Sequence, residues 1–352
     1  MRTRTKLLVT LLSPLVGVLA LELGFRVLGL EATPMPKTEG MLFSLSATPG
    51  LTYVNRKGAE RRTEYRDKAG GEPRVVLQRI NAQGFRGPQV SPAKPPGTFR
   101  IACLGDSHTF GTGVGELETW PAQLQALCEG AGAAGRPVEV MNWGVSAYDT
   151  TREVILLRAR VLEFDPDLVI LQYHVNDVSP RDQIGWKPGP QDALYRWSDP
   201  AGKTWWTQLR KVSKLADWCL DRVHRYRSVR DEAGLSMEKY AADSPGWRAV
   251  CAGLVNARDL LLERGIEFRL VLFPYLLRTG EHLSSHRAFQ QVSEYAAQEG
   301  IACLDGESVF AGLDLASLRV HAHDSHANGE AYGLFSRALF DWLQLGNSLP
   351  LR

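Results

Sequence analysis

From Phe99 onward the chain alternates short apolar runs with helical patterns, and this alternation constrains the fold more than any other feature. The runs are Phe99 to Leu104, Val138 to Asn142, Asp167 to His174, Phe268 to Phe273 and Ile301 to Asp305. Short runs rich in Val, Ile and Leu suit strands buried on both faces. Between them, Thr151 to about Leu162, Trp247 to Arg264 and His286 to Gln298 read as helices. A last helix spans about Asn328 to Leu345, with Ala331, Leu334, Phe335, Ala338, Leu339 and Trp342 on one face. Strands alternating with helices imply an α/β chain built on a parallel, doubly wound sheet.

The first run ends on Gly105, Asp106 and Ser107. Gly105 permits a tight turn. Ser107 then lies beyond the carboxyl end of a strand, where open α/β sheets hold their ligands. A serine there is a nucleophile if a base reaches it; in the plainer reading Asp106 or Ser107 caps the next helix. Three further stretches fall near strand ends. Gly144 can bring a backbone N–H close to a ligand, or serve as an ordinary turn glycine. Asn176 can donate its amide to a developing oxyanion, or cap a turn. Asp324 and His326 supply the carboxylate and base that a serine nucleophile needs. Their occurrence in this order favours one serine site over four separate structural roles.

Gly105-Asp106-Ser107, Gly144, Asn176-Asp177 and Asp324-x-His326 resemble the four blocks of the SGNH, or GDSL, hydrolase superfamily. The resemblance runs from about Phe99 to Leu345. The text around the blocks is similar to that of membrane-anchored bacterial members: Asn81 to Gly87 before the nucleophile, Glu118 to Pro121 after it, and His326 to Asn328 near the end. The family implies a flavodoxin-like three-layer α/β/α sandwich with a five-stranded parallel sheet. It also implies ester hydrolysis or acyl transfer with neither metal nor cofactor. By that likeness Ser107 is the nucleophile, His326 the general base and Asp324 its orienter. The Ser107 N–H, the Gly144 N–H and the Asn176 side chain form the oxyanion hole. The chain departs from the pattern in three places. Asp324 is one residue closer to its histidine than is usual, His174 stands where a glycine is usual, and His108 replaces the leucine of the name motif. His174 is expected to narrow the mouth of the site and His108 to form a wall.

Composition narrows the partners. At 352 residues the chain holds one large domain with appendages, and a net charge of +2 makes no case for a nucleic-acid binder. The five cysteines form no CxxC pair, which argues against a zinc ribbon, a redox motif or a disulfide framework. At the amino terminus Arg2, Arg4 and Lys6 precede the apolar run Leu7 to Leu21. Residues 1–30 are read as a membrane anchor that leaves the body outside the cytoplasmic membrane, or as a signal peptide cleaved near Ala20. Residues 31–98 are read as a linker and arm with a strand at Val75 to Ile80, and 99–346 as the hydrolase domain. Within that domain 178–243 is an insertion carrying Trp186, Trp197, Trp205 and Trp206, then an apolar face from Leu209 to Val223 edged by arginines and lysines. It reads as a helical cap, with a lid that touches anionic lipid as the sharper version.

Other readings use the same residues. His321, His323, Asp324 and His326 could hold zinc, but no second ligand cluster accompanies them. Gly111, Gly113 and Gly115 suggest a phosphate loop that lacks its lysine. An inactive domain of this fold would be an envelope binding module, against which the complete residue set argues. The expected partner is a small-molecule, lipid or glycan ester, and an O-acyltransferase acting on a glycan would use the same triad.

Overall fold

The computed structural model describes residues 2–30, 36–66, 72–131, 136–179, 209, 212–220, 222–223, 237–279, 282–283 and 285–349, without position 323, and side chains from position 13. The chain forms two units, one of Met1–Met35, Arg66–Pro73 and Lys187–Asp231, the other of Pro36–Tyr65, Arg74–Trp186 and Glu232–Arg352.

The second unit is organised on five parallel strands: β1 (Phe99–Leu104), β2 (Val138–Asn142), β3 (Leu168–Tyr173), β4 (Glu267–Leu272) and β5 (Cys303–Asp305). Their spatial order is β5-β4-β3-β1-β2, so the chain reverses direction across the sheet between β1 and β3. Ile101 sits opposite Val140 on one side and Leu168 on the other. This is the flavodoxin-like order expected, and its ligand crevice lies at that reversal. The alternation within β1 feeds two cores. Ala102 and Leu104 join Val169 and Leu171 on one face; Ile101 and Cys103 join Leu168 and Ile170 on the other.

Helices cover both faces. The first core is closed by α4 (Thr150–Ala159), α5 (Pro245–Leu262) and α6 (His286–Gln298), the second by α3 (Trp120–Gly130) and α7 (Gly329–Leu345). Helix α3 was not among the expected elements. Its 11 residues carry glutamines and alanines that dilute the apolar face. It starts where Thr119 accepts the N–H of Ala122, with Pro121 in the first turn, where a missing donor costs nothing. Helix α4 ends at Ala159, short of the expected Leu162, and the chain continues as a tighter turn over Val161–Phe164. Asn328 caps α7 by accepting the Ala331 N–H at 3.0 Å, which is why the helix begins just after the stretch holding Asp324 and His326.

The segment expected to be a linker and arm contains more sheet than the single strand at Val75. Strands Lys37–Glu39, Glu60–Tyr65 and Arg74–Arg79 form an antiparallel sheet, and Phe43–Leu45 pairs with Tyr53–Asn55. Along Glu60–Tyr65 the inward residues are Arg61, Thr63 and Tyr65. Beyond it, Arg86 bridges in antiparallel fashion to Asn142 at the end of β2.

In the first unit Arg2–Val27 forms one helix, α1. Among the described residues no helix is long and apolar enough to cross a membrane. Glu22 accepts from Ser213 Oγ at 2.8 Å and from the N–H groups of Lys214 and Leu215. Phe25 meets Trp218 edge-on at 5.3 Å. Trp186, Trp197, Trp205 and Trp206 of the expected lid lie outside the described residues.

Candidate active site

Ser107 opens a single helical turn, α2 (Ser107–Phe110), directly after β1. Asp106 caps the turn by accepting the His108 N–H at 2.9 Å. The same turn therefore serves both readings made from the sequence: Asp106 is the cap, and Ser107 is left at the tip. Ser107 is 8% exposed, and its Oγ lies 2.8 Å from His326 Nε2.

His326 and Asp324 come from a β-hairpin, Arg319–His321 against Asp324–Ala327. Residues two apart on a strand point to the same face. That geometry explains how a spacing of one intervening residue still works: His326 Nδ1 donates to Asp324 Oδ1 at 2.6 Å. The His326 backbone N–H reaches the same oxygen at 3.2 Å. A carboxylate only accepts, so Nδ1 carries the proton and Nε2 is left to accept from the serine hydroxyl. Asp324 Oδ2 accepts from the Tyr65 hydroxyl at 3.1 Å. Burial works to raise the Asp324 carboxyl, but the His326 charge and hydrogen bonds, together with Tyr65, hold it below the ordinary aspartate value. Asp305, at the end of β5, caps the turn at Glu307.

The expected oxyanion donors stand differently. Asn176 donates from Nδ2 to Asp106 Oδ2 at 3.2 Å, beside Ser107, whose Oγ is 3.4 Å from the same oxygen. Gly144 is also adjacent: a Cβ there would fall 2.1 Å from the Phe110 nitrogen, so only glycine fits against the nucleophile turn. Its N–H, however, already donates to Asn142 Oδ1 at 3.0 Å. Packing therefore requires the glycine, and both expected donors have resting partners, Asn176 with Asp106 and Gly144 with Asn142. Ala147, in that loop, holds a left-handed φ of 67°, a conformation uncommon outside glycine.

His108 and His174 are both buried, His174 therefore not at the mouth expected for it. Their rings lie 4.4 Å apart, and His108 is 5.2 Å from His326 and stacked on Phe273 at 4.6 Å. His174 Nδ1 donates to the Phe273 carbonyl at 2.8 Å. Burial pushes the pKa values of both imidazoles down. Below Asn176, Asp177 accepts from Thr150 Oγ1 at 2.6 Å. Glu153 is fully buried nearby, with no hydrogen-bond partner for either oxygen among the described residues. Burial, then the charge of Asp177, pushes the Glu153 carboxyl well up.

Sequence reading missed what the arm brings. Arg86 is buried and donates to the carbonyls of Phe110, Gly111 and Val114, which close the loop after Ser107. Burial, then the nearby Arg61, pushes its guanidinium down to about 10. Gln78 donates to the Gly111 carbonyl at 3.0 Å, and Asn55 to the Gly144 carbonyl at 3.0 Å. The only signal was the text Asn81 to Gly87, which contains Arg86 but carries no role on its face. Among the described residues no group of three or more His, Cys, Asp or Glu is placed to hold a metal ion. His323 of the alternative zinc cluster lies outside them.

Residues 103–334 match the model of the GDSL-like Lipase/Acylhydrolase family. No curated protein matches the chain. Among solved structures it is similar to a protein described as lipolytic and of the G-D-S-L family, from Desulfitobacterium hafniense DCB-2. That likeness has 17% identity and a TM-score of 0.40, and covers 69% of this chain and 98% of that one. It is also similar to an acetylxylan esterase from Geobacillus stearothermophilus, at 16% identity and a TM-score of 0.41, over 69% of this chain and 93% of that one.

Proposed function

The chain belongs to the GDSL-like lipase/acylhydrolase family and is an ester-hydrolysing enzyme, and on that premise we propose that it acts through Ser107, His326 and Asp324. The observation that supports this reading is the hydrogen-bonded line from Ser107 Oγ through His326 to Asp324, at 2.8 and 2.6 Å. Ser107 Oγ attacks the ester carbonyl carbon while its proton passes to His326 Nε2. Asp324 stabilises the imidazolium. The tetrahedral intermediate collapses, the C–O bond breaks, and His326 returns the proton to the leaving alcohol. Water then attacks the acyl-enzyme with His326 again taking a proton; the Ser107 Oγ–C bond breaks, His326 returns the proton to Ser107 Oγ, and the acid leaves. The serine needs this base because its hydroxyl is a weak nucleophile at neutral pH.

The oxyanion falls to the Ser107 N–H and to Asn176 Nδ2, which exchanges its contact with Asp106 for the developing charge. The Gly144 N–H is the third donor, exchanging its contact with Asn142 Oδ1 in the same way. The basic residues Arg2, Arg4 and Lys6 before an apolar run support an extracytoplasmic body; a reporter fused after Leu345 and active only in the cytoplasm would count against that location.

The test of the function is a panel of esters from short to long acyl chains, assayed with wild type and Ser107→Ala, alongside fluorophosphonate labelling. Labelling at Ser107 and loss of turnover in Ser107→Ala are expected. Full activity in Ser107→Ala together with no labelling of wild type would end the serine-ester reading.

A further inference from the structure

Tyr65 belongs to a segment that composition marks as charged linker, yet it is 4% exposed. It closes the strand Glu60–Tyr65, at the inward phase of the alternation. Its hydroxyl donates to Asp324 Oδ2 at 3.1 Å. The two carboxylate oxygens are thereby divided: Oδ1 serves the His326 ring and N–H, and Oδ2 serves the phenol.

The surroundings hold the phenol in place. The Arg74 guanidinium lies over its ring at 4.7 Å and donates to the carbonyls of Gly113 and Val320. Arg74 is also the strand partner of Tyr65. Gly113 makes room: at its φ of 82° a Cβ would stand 2.6 Å from Val320 and 2.9 Å from the Tyr65 hydroxyl. The ring of His321 is 5.7 Å away. Thus two arm strands and the hairpin meet at one hydroxyl.

We propose that Tyr65 is a positioning residue for acyl transfer, supplied by the arm, which locks the Asp324 carboxylate so that Oδ1 faces His326 Nδ1. The inference rests on the reading of Ser107, His326 and Asp324 as the triad. On a strand-borne Asp-x-His the short reach fixes which face the carboxylate is on, but not its rotation about χ2. A second donor on Oδ2 removes that freedom, and with it the conformers in which His326 turns its proton away from Asp324. The charged and titratable groups around the pair are His108, His174 and Asp106 on the His326 side, and Tyr332, His321 and Arg74 near Asp324.

The test is Tyr65→Phe in the full chain, which keeps the ring and its Arg74 contact and removes one hydroxyl. The variant is expected to lose about tenfold in kcat with KM within about twofold, since one charge-assisted bond is lost away from the substrate. The rate of fluorophosphonate labelling at Ser107 should fall with it. The acid limb of kcat/KM should move to higher pH. Without the phenol the Asp324 charge is less neutralised, the imidazolium is favoured, and the base is lost at a higher pH. A purely structural tyrosine would lower Tm and leave kcat, labelling rate and pH limb in place; that result overturns the proposal. Ser107→Ala, run in parallel, separates the two readings. If it is inactive while Tyr65→Phe matches wild type, only the positioning role fails. If it is active, the triad reading fails first.

Discussion

The central sheet and the amino-terminal arm meet at the same site and are built in contrasting ways. The sheet buries apolar residues on both faces: all of Leu168–Tyr173 is buried, and β1 feeds a core on each side. The arm buries polar residues, Arg61, Thr63, Gln78 and Arg86 among them: Arg61 donates to Gln78 Oε1, and Gln78 and Arg86 donate to backbone carbonyls of the loop after Ser107. Apolar burial is non-directional and tolerates repacking of similar volume. Polar burial is directional, and each group left without a partner costs about 1–3 kcal/mol. The sheet thus supplies the residues that react, and the arm fixes the loops on which they sit.

Four substitutions probe that division, from the largest expected effect to the smallest. Ser107→Ala, at the end of β1, should lower kcat by at least about 10³-fold with the denaturation midpoint nearly unchanged, because the residue reacts and packs little. A comparable fall in midpoint would show that the sheet-side residue is structural after all. Asn176→Ala should reduce kcat about 10²–10³-fold, the equivalent of about 2.7–4 kcal/mol for one oxyanion donor; single-turnover rates measured beside thermal melts distinguish this from simple loosening.

Arg86→Met, on the arm side, should behave in the opposite way. It removes the buried donor from the Phe110 and Val114 carbonyls, while Gly111 keeps Gln78, so urea titration should show a loss of about 2–3 kcal/mol, with kcat falling less than in the first two variants. Unchanged stability with a collapsed kcat would move Arg86 from scaffold to chemistry and dissolve the contrast.

The smallest effect concerns Glu153, a buried polar residue on the sheet side that breaks the pattern. Its folded-state carboxyl is held well above the ordinary glutamate value. Below the unfolded-state value both states are protonated and the group is neutral in its effect. As pH rises above that value the unfolded state releases its proton first, and the folded state is disfavoured by about 1.4 kcal/mol per pH unit until it too ionises. Glu153→Gln should therefore raise Tm at pH 7 relative to wild type and leave it nearly unchanged at pH 4. Equal shifts at both pH values would show that the carboxyl is partnered in the folded protein.

Legibility followed the same division. The strands at Phe99–Leu104 and Val138–Asn142, and the helix at His286–Gln298, were readable to the residue because apolar period and turn residues are local signals. Ser107 and His326 were readable as candidates because Gly-Asp-Ser and Asp-x-His carry their chemistry in adjacent positions. Helix α3 was not, since its apolar face is thin, and neither was the hairpin that carries Asp324. The arm was least legible: Arg, Thr, Gln and Tyr at inward positions look the same in sequence as residues facing water.

By itself, then, the sequence determined the parallel α/β sheet, its five strands and the side chains at their ends, because hydrophobic periodicity and short motifs act over a few residues. Tertiary structure decided which of those side chains touch. It set Asp324 and His326 on one face of a strand, turned the Gly144 N–H to Asn142, and brought Tyr65 to Asp324 across 259 positions. Such pairings depend on directed hydrogen bonds between segments far apart in the chain, and nothing in either segment alone encodes the distance between them.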